Sequence, residues 1–305
     1  MEQGARDARR RLRTSRMSLP LALVLDGAAI PADRAAFLPT ERGLLYGDGL
    51  FETIPLLHGV ALDAPRHLAR LAASSQALGL PAPPPPRTIA AWIGACIAAA
   101  GPLAAVLRLT WTRGAGGRGF APAAADGPPH LLIAAFAARA DAATRHERGV
   151  RAALVRGLVP GDLARHKTLS ALPYVVAADR ARAQGADEAL IVDGDGNVLE
   201  AAGANVFAID AGRAVTPPAA QPLLAGIGRA RALAWLGSRG GERVLPVAAL
   251  ATATEAFLTN AVAGIVPLVQ VDGRNIGAGS PGPVTRELQE LDRAWRTNPE
   301  RNPVS

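Results

Sequence analysis

The order of strand-like and helix-like segments constrains this chain most. Alternation of apolar and polar residues predicts strands at 21–25, 104–112, 130–138 and in GVRAALVR from Gly149. Apolar residues at helical spacing predict helices over 64–78, closed by Gly79, over 88–100 behind the stiff PAPPPP run, and in GIGRARALAWLG. EALIVDGDGNVLEAAGANVFAI predicts a hairpin around 193–197, EAFLTNAVAGIVPLVQVDG is strand-rich, and PVTRELQELDRAW predicts a last amphipathic helix. GLLYGDGLFETIPLLHGVAL reads as two extended runs meeting at His58 and Gly59. Strands and helices alternate without the repeating unit of a barrel or a doubly wound sheet. An α+β fold of two domains, 17–138 and 149–305, joined by a linker at 139–148, follows from that order. At 305 residues and 49% apolar composition, the chain can bury a full core.

Charge excludes some classes of function. The formal net charge is +7, which invites a nucleic-acid reading, but residues 1–16 concentrate it. Arg6, Arg9, Arg10, Arg11, Arg13 and Arg16 stand there against Glu2 and Asp7. Alternating apolar sequence begins just after Met17, so this tail is expected to be a disordered basic arm or a mis-assigned start. With charge nearly balanced elsewhere and aromatics at 4%, a nucleic-acid surface is not expected. No apolar run reaches the roughly 18 residues of a membrane span. The single cysteine, Cys96, permits no intrachain disulfide and fits a reducing cytoplasm. The five histidines lack metal-ligand spacing, so no metal site is expected.

Of 33 Lys+Arg residues only one, Lys167, is a lysine. Arginine can replace lysine wherever charge alone matters, but a guanidinium is never usefully deprotonated and cannot form a Schiff base. Lys167 is therefore the candidate for amine chemistry, on a connection leading into a helix. A second motif is a decoy. Gly114-Ala-Gly116-Gly-Arg-Gly119 satisfies a dinucleotide fingerprint, yet FAPAAADGPP follows where a helix must open. It reads as a glycine loop presenting Arg113 and Arg118.

Five segments in order, ERGLLYGDGLFETI (41–54), RHLARL (66–71), TRGAGGRGFAP (112–122), HKTLSALPYVVAADRARAQGADEAL (166–190) with VLEAAGANVF (198–207), and LLAGIGRARAL (223–233) with FLTNAVAGIVPL (257–268), resemble the fold-type IV pyridoxal-phosphate enzymes. These are the class IV aminotransferases and 4-amino-4-deoxychorismate lyase. The resemblance implies a D-amino-acid-aminotransferase-like fold, with a small N-terminal α/β domain and a larger C-terminal pseudo-barrel domain that binds pyridoxal 5'-phosphate. It implies that Lys167 is the Schiff-base lysine, that Arg70 grips the cofactor phosphate, and that backbone N–H groups of Ile227, Gly228 and Ala261 bind it too. Glu200 would pair with the pyridine nitrogen, and Asn205 matches a pocket position. Relatives usually carry Ser or Thr where this chain has Ala261, so one hydroxyl donor is missing. Homodimers, in which a loop of one subunit completes the other's site, are implied by resemblance as well.

The features of the substrate side favour the lyase, acting on 4-amino-4-deoxychorismate to give 4-aminobenzoate and pyruvate in folate biosynthesis. K-x-L-S at Lys167 and GGRGF resemble the lyase segments, and Thr53 stands where lyases carry a threonine implicated in proton delivery. Pro55 replaces an arginine frequent in branched-chain aminotransferases, and Phe120 a histidine of the D-amino-acid enzymes. Tyr174 sits too far from Lys167 to match the tyrosine of the branched-chain enzymes, while Val266 replaces a tryptophan frequent in the lyases. Arg118 and Arg108 are the expected partners of substrate carboxylates. The alternative is an aminotransferase acting on branched-chain or D-amino acids. A third reading, a basic binding protein without catalysis, is opposed by the joint presence of Lys167, Arg70 and Glu200.

Overall fold

The computed structural model describes residues 19–34, 37–117, 119–121 and 127–298. The basic tail and Arg118 lie outside the described residues. The first part of the chain builds β1 (Ala22–Leu25), β2 (Ala28–Ile30), α1 (Arg42–Tyr46), β3 (Gly49–Leu57), β4 (Val60–Ala61), α2 (Ala64–Ala77), α3 (Pro86–Ala100), β5 (Val106–Thr112) and β6 (His130–Phe136). Its strands form one sheet in the order β2-β1-β6-β5-β3-β4, every neighbour antiparallel. Val24, Ile54, Leu107, Leu109, Leu131 and Ile133 from the sheet pack in one core with Leu71 of α2 and Ile89, Ile93 and Cys96 of α3. α3 starts inside the proline run, where a first-turn proline loses no helical hydrogen bond.

The second part comprises α4 (Ala142–Arg148), β7 (Val150–Arg156), a 3₁₀ turn (Gly161–Arg165), α5 (Leu172–Ala183), β8 (Glu188–Val192), β9 (Asn197–Ala201), β10 (Asn205–Asp210), β11 (Arg213–Thr216) and α6 (Ile227–Leu236). It continues with a second 3₁₀ turn (Gly237–Arg239), β12 (Gly240–Glu242), β13 (Leu245–Pro246), α7 (Val247–Thr252), β14 (Glu255–Asn260), β15 (Gly264–Val271), β16 (Arg274–Asn275) and α8 (Pro283–Arg296). Its ten-stranded mixed sheet runs β12-β11-β10-β14-β15-β7-β8-β9-β13, with β16 on β15. The β15–β7, β7–β8 and β11–β12 pairs are parallel. Near-continuous burial along β8, β10 and β14 reflects packing on both faces. Phe207 and Phe257, directly paired across β10 and β14, stack at 4.6 Å between α6 and α8.

One expectation is corrected. The stretch before β3 is not extended throughout: 42–46 is helical, started by the Glu41 carboxylate accepting from the Gly43 N–H (3.1 Å) and ended by Gly47 at φ 65. The 139–148 segment holds α4, whose Arg145 pairs with Glu188 of β8 at 2.7 Å. Among the described residues no helix is long and apolar enough to cross a membrane.

Candidate active site

Lys167 is delivered to the seam between the two sheets by a loop stitched onto β3. The Phe51 N–H donates to the Lys167 carbonyl (2.8 Å), the Leu169 N–H donates to the Gly49 carbonyl (2.9 Å), and Leu50 bridges Thr168. Position 49 needs glycine, because a Cβ there would run into the Trp111 backbone carbonyl of β5 as well as sitting 2.8 Å from Leu169 Cδ1. His166 Nδ1 reaches Ser74 Oγ of α2 at 3.1 Å. Lys167 Nζ rests 4.4 Å from the centre of the Phe51 ring. Burial pushes its amine down to about 8, aided by the Arg70 and Arg108 guanidinium groups and opposed by Glu52 and Glu200. An amine that is partly neutral near neutral pH can act as nucleophile and base.

Glu200, buried in β9, accepts from Tyr174 Oη (2.7 Å) and from the Leu224 N–H (3.1 Å). Burial raises its carboxyl to about 7, against the Tyr174 and Leu224 bonds and the Lys167 charge. Asn205 Nδ2 donates to the carbonyl of that same Leu224 at 2.7 Å. Glu200 and Asn205 thus hold one turn from both sides, and that turn leads directly into α6. Tyr174, too far from Lys167 to match the tyrosine of the branched-chain enzymes, lies in the first turn of α5, which brings its hydroxyl to Glu200.

α6 opens at Gly226 without a side-chain cap, so first-turn N–H groups are left for another acceptor. Gly228 is packed so closely that a Cβ would meet Thr259 Oγ1 at 2.8 Å and the Asn260 carbonyl at 3.0 Å. Thr259 Oγ1 is buried and has no hydrogen-bond partner among the described residues. Arg70 shares a cavity of about 670 Å³ with Gly226 and Ile227. Its Nε and Nη2 form a two-pronged bond to Glu52, both at 2.7 Å, and Glu52 also takes His67 Nδ1 at 2.6 Å. Although burial works against it, the Arg70 and His67 bonds hold Glu52 below the ordinary carboxylate range. Arg70 Nη1 has no described partner. Glu52, absent from the expected site residues, is what orients Arg70; strand alternation along β3 places it opposite to Phe51 and Thr53.

Thr53 of β3 pairs directly with Arg108 of β5, so both project from one face. The Arg108 guanidinium lies 3.9 Å from the Phe51 ring centre, the same ring that carries Lys167 Nζ. Burial is the cause that draws the Arg108 guanidinium down, and among the described residues no carboxylate meets it. Arg113, in contrast, is not presented to a ligand: its Nε binds Asp48 (2.8 Å) and its Nη1 the Gly79 carbonyl (2.6 Å). Arg42 grips the glycine loop through the carbonyls of Gly117, Gly119 and Phe120. Among the described residues no cluster of His, Cys, Asp and Glu could hold a metal ion.

Known proteins are similar to this chain over most of its length. A protein of Methanocaldococcus jannaschii named "Putative branched-chain-amino-acid aminotransferase" is 32% identical over 281 residues, covering 90% of this chain and 96% of that protein. An aminodeoxychorismate lyase of Vibrio harveyi is 29% identical over 258 residues, covering 82% and 93%. The PLP-bound structure of a hypothetical aminotransferase from Mycobacterium tuberculosis superposes with a TM-score of 0.79 at 25% identity, covering 90% of this chain and 99% of the other. The model of the amino-transferase class IV family matches residues 49–271, from the first residue of β3 to the last of β15. By that match the chain belongs to the class IV aminotransferases, pyridoxal-phosphate enzymes of fold type IV.

Proposed function

We propose that this protein is an aminotransferase for a small amino acid, with Lys167 carrying the cofactor. The observation behind this reading is the pairing of Lys167 Nζ and Arg108 on one Phe51 ring, at 4.4 and 3.9 Å. An amine reacting beside Lys167 would have a guanidinium at hand for a carboxylate on the same molecule. The residues fit the cofactor. Arg70 and Ile227 line one cavity, and with the Gly228 and Ala261 N–H groups and the Thr259 hydroxyl, which has no partner among the described residues, they would supply the donors for a phosphate. Glu200 is a buried carboxyl suited to a ring N–H. When bound, pyridoxal phosphate supplies an aldehyde that captures amines and a ring that accepts electrons from the amine-bearing carbon. Lys167, partly neutral near pH 8, would take the proton from that carbon and pass it to the aldehyde carbon of the cofactor, leaving the amino group on the cofactor. Glu200 keeps the ring nitrogen protonated, Asn205 fixes the turn ahead of α6, and Arg108 orients the substrate. Arg118 is a further candidate for the carboxylate.

The aminotransferase relative spans more of this chain, at higher identity, than the lyase relative, which supports amino transfer as the first reading. The lyase remains the second reading, favoured by the Thr53 hydroxyl facing the same side as Arg108, where it could protonate a departing group. A homodimer belongs to the proposal: exposed Leu44 and Phe120, 71% and 88% accessible, flank the glycine loop and offer apolar surface to a second copy. The test is single turnover with a panel of L- and D-amino acids, following the cofactor's visible spectrum. Conversion to the pyridoxamine form, reversed by a keto acid and lost in Lys167→Ala, is expected. Many turnovers of 4-amino-4-deoxychorismate to 4-aminobenzoate and pyruvate without any keto acid would instead establish the lyase.

A further inference from the structure

The phosphate donors proposed above come from three segments distant in sequence: Arg70 on α2, Ile227 and Gly228 at the start of α6, and Thr259 and Ala261 at the end of β14 and just after it. No covalent feature keeps these three in register. A chain of buried and half-buried charges does connect them. Asp63, at the N-terminal cap of α2, binds Arg231 Nη1 of α6 at 2.5 Å. Arg231 Nη2 faces Asp292 Oδ1 of α8 at 3.5 Å, and Asp292 Oδ2 takes Arg296 Nε at 2.7 Å. Arg296 Nη2 then donates to the carbonyl of Ala261 at 3.0 Å. The Arg231 guanidinium sits over the Trp295 ring, 3.7 Å from its centre.

Helical spacing aligns each contact with a phosphate donor. Asp63 precedes the first residue of α2, whose second turn carries Arg70, and Ile227 and Arg231 are one turn apart on α6. Both faces line the same cavity of about 670 Å³. Arg231 and Asp292 are only 6% and 4% exposed. Burying such charges costs desolvation that apolar residues of similar volume would avoid, so stability is a weak reason for the arrangement. Geometry is a better one. Hydrogen bonds to a phosphate weaken steeply when donors move, and this chain has alanine at 261 where a side-chain hydroxyl would add tolerance.

We infer that Asp63, Arg231, Asp292 and Arg296 form a positioning relay that locks α2, the α6 N-terminus and the Ala261 turn into one phosphate cradle. None of the four is assigned contact with the cofactor. The inference rests on the proposed function, since it presumes that the phosphate sits among Arg70, Ile227, Gly228 and Ala261.

The experiment compares the affinity of cofactor-free protein for pyridoxal phosphate and for pyridoxal, which shares the aldehyde and ring but lacks the phosphate. Arg296→Gln, at the less buried end of the relay, and Asp63→Asn are expected to weaken pyridoxal phosphate about tenfold and to change pyridoxal less than about twofold. Arg296→Lys, which restores the positive charge and the reach toward Asp292 and the Ala261 carbonyl, is expected to recover most of the loss. Thermal unfolding of each variant identifies any that fails to fold, and Arg231→Gln is read only if folded. Unchanged affinity for pyridoxal phosphate in both Arg296→Gln and Asp63→Asn overturns the relay, as does an equal loss for both ligands, the mark of general loosening. Arg70→Ala separates the two levels. If it leaves the ratio of the two affinities unchanged, the phosphate site itself is wrong and the relay falls with it. If it lowers that ratio while the relay variants do not, only the relay falls.

Discussion

Glu200→Gln in cofactor-free protein should change how stability depends on pH, and the structure fixes both sign and size. Glu200 is 5% exposed, and burial raises its carboxyl from the ordinary 4.5 to about 7. Below 4.5 it is protonated in the folded and the unfolded chain alike. As pH rises, the unfolded chain ionises first, and above about 7 the folded chain must hold a buried carboxylate. A raised folded-state pKa therefore contributes stability at low pH that is lost between about 4.5 and 7. At about 1.4 kcal/mol per pH unit, the loss is on the order of 3 kcal/mol. Glutamine fills nearly the same volume, keeps an oxygen for Tyr174 or Leu224 and does not titrate. Any cost of its altered hydrogen bonds is the same at every pH and cancels from the slope. Urea unfolding of both proteins at pH 4, 6 and 8 should show the variant gaining roughly 3 kcal/mol on the parent from the lowest to the highest pH. A difference that stays flat within about 1 kcal/mol would refute the claim that the Glu200 carboxyl is desolvated in the folded chain.

Other consequences are open to measurement. Capture of pyridoxal by cofactor-free protein requires neutral Lys167, so its rate should rise with pH about a midpoint near 8 rather than near 10.5; stopped-flow absorbance reads this directly. Arg108→Gln should raise KM for a carboxylate substrate about 10- to 100-fold, from loss of one charge-assisted bond worth ~1.5–3 kcal/mol, while cofactor affinity holds. Gly228→Ala places a methyl 2.8 Å from Thr259 Oγ1 and 3.0 Å from the Asn260 carbonyl, so equilibrium dialysis should show weaker binding of pyridoxal phosphate. An unchanged dissociation constant there would mean that the start of α6 can shift without consequence.

Much of the fold was legible because local periodicity and punctuation agree with it. The prolines ahead of α3, the apolar spacing of α2 and α8, and the turn between β8 and β9 are all local signals, and they lie where the pattern placed them. The 42–46 helix escaped because five residues carry too little periodicity; a cap at each end makes it. The glycine loop does not present Arg113 as its sequence position suggests, because its partners, Asp48 and the Gly79 carbonyl, lie 65 and 34 residues away and are invisible to local pattern. The Tyr174–Glu200 bond escaped for a related reason. Spacing from Lys167 was compared along the chain, whereas the first turn of α5 sets the distance that counts.

Composition alone singled out Lys167, since an arginine-rich chain with one lysine leaves one side chain able to become a neutral amine. The ordered motifs carried the family and its cofactor. Which groups tune that lysine, which guanidinium is left without a carboxylate and which is consumed by Asp48, and how α2, α6 and α8 are tied together were settled only by the tertiary structure. Side-chain identity is local, but desolvation and charge pairing depend on distances between residues far apart in sequence, and only the folded chain sets those distances.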